Sequence, residues 1–86
     1  MKQQEIILKA LANRRRLAII KFLRTRKEAS VGEIAGQIRL SFKATSKHLN
    51  ILARANLLDK EQRSLVVFYY LALDLPQFVK SLLSDL

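Results

Sequence analysis

Cysteine is absent from this chain, and proline and glycine are scarce, with one Pro and two Gly in 86 residues. Without cysteine there is no disulfide staple and no thiolate metal ligand. Stability must then come from one hydrophobic core, and in so short a chain a second subunit is the available source of further buried surface. With few turn-forming residues, the connections between elements must be short. The lack of cysteine also agrees with a cytoplasmic protein. No run of ~18 apolar residues occurs, so no membrane span is expected. The start, Met1-Lys2-Gln3-Gln4-Glu5, lacks the apolar stretch of a secretory leader.

Acids are scarce as well. Seven Asp/Glu face sixteen Lys/Arg, for a formal charge of +9. The charges are segregated: residues 6–27 hold eight basic side chains and no acid, and residues 34–58 hold Arg39, Lys43, Lys47 and Arg54, again with no acid. Such a distribution attracts polyanions, nucleic acid before acidic lipid. No paired carboxylates, nucleophile–base pair, phosphate-binding glycine loop or metal-ligand cluster can be assembled. The chain is therefore expected to be neither an enzyme nor a cofactor or metal binder.

Half the residues are hydrophobic, and their spacing predicts six elements in a single domain over 1–86. Ile6, Ile7, Ala10 and Leu11 share one face of a helix over 4–12. Asn13 is a good N-cap for a second helix over 14–25, with Leu17, Ala18, Ile20 and Leu23 inward. Ser30 and Glu33 have capping-box spacing at the start of a short third helix over 30–38, which Gly36 weakens. A fourth helix, 41–55, is capped by Ser41 and stopped by Asn56, which tolerates positive φ. Two strands within 57–71 form a hairpin with a polar tip from Asp59 to Ser64. A last helix over 75–85 is capped by Asp74 and has Pro76 in its first turn. The tight Arg39-Leu40 connection between two short helices, followed by a hairpin, is the pattern of a winged helix-turn-helix, mainly α with a small β-hairpin.

The fourth helix carries the most chemistry. At ~100° per residue, Phe42, Thr45, Leu52 and Ala53 fall with Leu49 on the inward side. Lys43, Lys47, Asn50 and Arg54 fall together on the outward side. Lys donates to guanine O6 and N7, and Asn pairs with adenine N6 and N7, so this stripe suits a DNA major groove. Groove readers work through the N-terminal half of the helix, which favours Phe42, Lys43, Ser46 and Lys47 over Asn50 and Arg54. Ser41 and Ser46 can reach phosphates. His48, the lone histidine, lies on a flank where packing or a phosphate contact is open to it. Arg63, helped by Lys60, is the expected minor-groove or backbone contact of the wing. Arg14, Arg15 and Arg16 open a helix, where the dipole disfavours cations; phosphate, Glu5 or Glu33 is expected to compensate them, with a salt bridge favoured for Arg16.

These residues resemble the ArsR/SmtB family of bacterial and archaeal repressors, from about Ile7 to Leu71. The resemblance is carried by Leu8-Lys9-Ala10-Leu11-Ala12-Asn13, Arg16-Leu17, Ile20, Ser30-Val31-Gly32-Glu33-Ile34-Ala35, Ser46-Lys47-His48-Leu49, Leu52, Leu57-Leu58 and Tyr70-Leu71. It implies a homodimer through the first and last helices, 4–12 and 75–86, and repressor binding to double-stranded DNA through the fourth helix and wing. Metal sensing is not supported: the family's thiolate positions fall at about Ser30 and Gly32, and residues 72–86 contain no His. The usual glycine after the fourth helix is Asn56, and the usual wing glycine is replaced by Arg63-Ser64. The competing expectation is a winged-helix protein-interaction adaptor that does not read DNA.

Overall fold

The computed structural model describes residues 2–86. Helices α1 (Lys2–Leu11) and α2 (Arg14–Arg26) precede a short strand β1 (Glu28–Ser30). Helices α3 (Val31–Ile38) and α4 (Phe42–Arg54) follow, then β2 (Leu58–Arg63), β3 (Val66–Leu71) and α5 (Gln77–Leu83). Strand β1 is a departure from the expected two-stranded hairpin. It adds antiparallel to the free edge of β3, with Glu28 opposite Tyr70 and Ser30 opposite Phe68, giving the sheet order β1-β3-β2. Three residues are too few to carry a period-2 signal; they become a strand because β3 offers an unpaired edge.

Side chains set the helix ends where expected. Asn13 Oδ1 accepts from the backbone N–H groups of Arg15 and Arg16, 2.9 and 3.1 Å away. Ser30 Oγ accepts from Glu33 N while the Glu33 carboxylate accepts from Ser30 N, closing the capping box. Ser41 Oγ accepts from Ala44 N at 3.1 Å. Asn56 takes φ 61. The bonds Asn56 N to Ala53 O and Leu57 N to Leu52 O complete a Schellman stop. The last helix differs from expectation. It starts at Gln77 after Pro76, with no side-chain cap, so Asp74 does not cap it.

One core joins the elements. Ile19, Ile20 and Leu23 of α2 sit at its centre, among Ile7, Ile34, Leu49, Leu52, Leu58 and Val79. Thr45 is also fully buried, and its hydroxyl has no hydrogen-bond partner among the described residues. Phe42 departs from the wheel: it is 62% exposed, because the first turn of α4 extends past the core. Leu17 and Ala53 are only half-buried, and Ala18 is exposed.

Gly36 lies inside α3, and a Cβ added there meets nothing within 4 Å. Gly36→Ala should therefore raise the unfolding free energy by ~0.5–1 kcal/mol, through reduced backbone entropy in the unfolded chain. Urea or thermal melts measure it.

Candidate nucleic-acid interface

Helix α3 ends at Arg39, which takes the left-handed conformation at φ 56, and α4 begins three residues later. This turn sets α4 across the surface with its apolar side down. Thr45, Leu49 and Leu52 are buried, whereas Lys43, Lys47, Asn50 and Arg54 are all exposed. The four polar side chains of the predicted stripe are thus presented to solvent together. Ser46 is half-buried beside them. The Ser41 oxygen is engaged as a cap acceptor, which leaves its O–H as a donor.

The wing is the β2–β3 hairpin. Arg63 pairs with Val66, so the turn is Ser64-Leu65, and Ser64 takes φ 59. A positive φ at the first central residue only is the sign pattern of a type II′ hairpin turn. The Gln62 side-chain amide donates to Ser64 O at 3.1 Å and steadies it. Leu65, not a polar residue, occupies the apex.

Arg63 is not the free cation expected at the wing tip. Its guanidinium reaches across the outer face of the sheet and donates to both Glu28 carboxylate oxygens at 2.7 Å and to Glu61 at 3.1 Å. It also stands 4.6 Å over the Phe68 ring. The arginine hydrogen bonds hold the Glu28 carboxyl below the usual carboxylate range, and the two acids raise the arginine's own affinity for its proton. The reason sequence reading missed this pairing is that Glu28 belongs to β1, the strand without a local signal. Lys60 remains exposed on β2.

The cations that open α2 also find partners other than those expected. Among the described residues Arg16 makes no salt bridge. Its Nε donates to Ala10 O at 2.6 Å and its second terminal nitrogen to Lys9 O at 3.4 Å, both at the C-terminal end of α1. Arg15 reaches Ile38 O at 3.5 Å, at the end of α3. Glu5 pairs instead with Lys9, and Glu33 with Arg26. These carbonyls carry the negative end of a helix dipole, which attracts the guanidinium without any carboxylate.

His48 is held from behind. Its Nδ1 lies 3.1 Å from a terminal nitrogen of Arg16. Arginine only donates, so Nδ1 accepts and the ring proton sits on Nε2. Desolvation first, then the charges of Arg16 and Arg15, push the imidazole below its ordinary pKa. His48 ties α4 to the α1–α2 junction while its Nε2–H remains a donor. Among the described residues, no three His, Cys, Asp or Glu side chains come together in a way that could hold a metal ion.

A sequence model described as "Bacterial regulatory protein, arsR family" matches residues 13–60, from the N-cap of α2 into the wing. The chain belongs to the arsR family. It is 42% identical over 67 residues to the transcriptional activator HlyU of Vibrio cholerae, an alignment covering 78% of this chain and 61% of that protein. The solved structure of HlyU from Vibrio cholerae superposes with a TM-score of 0.83 at 36% identity, covering 98% of this chain and 87% of that one. The homodimeric winged helix-turn-helix DNA-binding domain Mb0332 from Mycobacterium bovis gives a TM-score of 0.83 at 27% identity, over 98% of this chain and 74% of that one. The fold is thus a winged helix-turn-helix of the arsR type. Where the resemblance leads one to expect glycine, this arsR-family chain uses Asn56 and Ser64, both at positive φ.

Because His48 is held neutral, the folded state takes up its proton at lower pH than the unfolded chain does. Its stabilising contribution is fully present above the ordinary imidazole value of 6.5 and is lost as pH falls through the lower folded value. Stability measured from pH 8 to about 5 should therefore fall, and His48→Gln, which keeps an acceptor for Arg16 but does not titrate, should flatten that fall.

Proposed function

We propose that the chain is a DNA-binding transcriptional regulator that acts as a homodimer on an inverted-repeat operator. The observation that carries this reading is the exposed face of α4. Lys43, Lys47, Asn50 and Arg54 stand together on one helix, between a tight helix-helix turn and a wing. A protein-interaction adaptor has no use for that stripe. Lys43 and Lys47 read base edges, with Ser46 and Asn50 beside them, and Ser41, His48 and Arg54 contact phosphates. Lys60 supplies the wing's backbone contact. Arg63, already engaged by Glu28 and Glu61, holds the wing in shape. Residues 1–86 act as one domain, and the site of action is the cytoplasm, where bacterial DNA lies. No helix of the described residues is long and apolar enough to cross a membrane.

The dimer is supported by apolar side chains that the single chain leaves outside. Ile6 and Leu8 on α1 are exposed, as are Leu82 and Leu86 at the other end. The Mycobacterium bovis neighbour is described as homodimeric. Repression, which the family resemblance implies, follows where the operator overlaps the promoter; HlyU is described as an activator. A reporter fused to the native promoter reads the sign directly.

Two recognition helices related by a dyad should enter successive major grooves about 34–36 Å apart. Gel shifts on a selected duplex and a random one are the test. Affinity should fall on the order of 10³-fold between 50 and 200 mM salt. Lys43→Ala or Lys47→Ala should reduce the preference for the selected duplex by ~1–3 kcal/mol. If both variants bind both duplexes as the wild type does, the adaptor reading replaces this one.

Sedimentation at micromolar concentration should give a dimer. Leu8→Glu or Leu82→Glu should shift it to monomer without loss of helix content. A wild-type chain that sediments as a folded monomer would falsify the dimer.

A further inference from the structure

Two of the most exposed apolar side chains lie where the proposed DNA contact is made. Phe42, the first residue of α4, is 62% exposed, and Leu65, at the wing apex, is 93% exposed. Exposed single apolar residues need no explanation, but these two line one groove. Its floor is Val31 and Gly32 at the start of α3, and Val66 and Val67 at the start of β3. The groove therefore runs from the start of α4 to the wing tip, the two elements to which the proposed function assigns DNA contacts.

The surroundings select the occupant. Lys43 and Lys47 are exposed on the same helix, and residues 34–58 contain no acid. The acids nearest the groove, Glu28, Glu33 and Glu61, are each paired with an arginine. Among the described residues the unpaired charge beside the groove is thus that of Lys43 and Lys47, and an apolar patch so flanked suits a polyanion with apolar parts of its own. DNA has two such parts: the thymine methyl group, the apolar feature of the major-groove floor, and the deoxyribose. The wing is also stiff enough to present its apex. Arg63 clamps β2 to β1 through Glu28 and lies over Phe68, so Leu65 extends from a braced hairpin.

We propose that Phe42 and Leu65 form an apolar clamp on one DNA strand, Phe42 packing on a thymine methyl group and Leu65 on the sugars at the wing. The proposal rests on the DNA-binding reading above and adds to it an interaction that is independent of salt. Such packing releases no counterions, so removing it lowers affinity without changing the slope of log K against log salt. Substituting a phosphate-contacting lysine such as Lys60 lowers affinity and also makes the slope shallower, by about one for each phosphate no longer neutralised.

The experiment uses the full chain and a duplex selected from random sequence. Phe42→Ala should weaken binding about tenfold and Leu65→Ala several-fold, both with the wild-type salt slope. Circular dichroism melts should match the wild type, since neither side chain belongs to the core. Replacing thymine by deoxyuridine, one position at a time, removes a single methyl group. At one position per half-site the wild type should lose about fourfold, and Phe42→Ala should lose nothing further. Equal loss in both proteins, or loss in neither, overturns the Phe42 assignment. Unchanged binding by Leu65→Ala, or a shallower slope in either variant, overturns the clamp. A wild-type chain that selects no duplex overturns the DNA reading itself, a result distinct from all of these.

Discussion

Helix α2 is the element on which the others close, and it does so through backbone carbonyls. A helix ends with unpaired C=O groups that need donors. With so little glycine, this chain leans on arginine for them. Arg16 takes carbonyls at the end of α1, Arg15 the end of α3, and Arg24 the end of α5 through Leu83 O. Ile19, Ile20 and Leu23, at i+3, i+4 and i+7 from Arg16 and so on its face of the helix, reach into the centre of the core, with Arg15 and Arg24 on its two flanks. One amphipathic helix thus packs the hydrophobic interior and terminates three neighbours. Two of the three arginines at its start, Arg15 and Arg16, are stabilised by dipole ends, and Arg14 is left exposed to solvent.

Helix α4 inherits its position from that arrangement. Leu49 and Leu52 anchor α4 in the core, and His48 accepts from the arginine that already binds α1. The polar stripe of α4 is left with no structural duty. Its cations make no ion pair among the described residues, whereas Lys9, Arg26 and Arg63 do. Lys43, Lys47 and Arg54 thus stay exposed together on the face proposed to meet DNA.

The wing follows a different rule. It stands out from the core, with most of β2 exposed, so burial cannot hold it rigid. Strand pairing to β1 and the Glu28–Arg63–Glu61 cluster over Phe68 do so instead. Three of the few acids near the sheet, Glu28, Asp59 and Glu61, lie toward its outer face by strand alternation. Glu28 and Glu61 thus brace the hairpin through Arg63.

Local chemistry by itself determined the order of the five helices and the hairpin and most helix ends. Asn13, Ser30 with Glu33, Ser41 and Asn56 act within a few residues of themselves, so their roles could be read before any packing was known. The outward stripe of α4 was equally legible, because helical periodicity is a property of the segment alone. Tertiary structure decided whatever depends on residues distant in the chain. Strand β1 exists only because β3 has a free edge. Arg16 chose carbonyls over Glu5 because α1 ends beside it. Arg63 was drawn off the wing tip by Glu28, 35 residues away. Phe42 was left exposed because the core stops one turn short of it. In each case the sequence names the side chain's chemistry, but its partner is set by which backbone ends and surfaces the fold brings near.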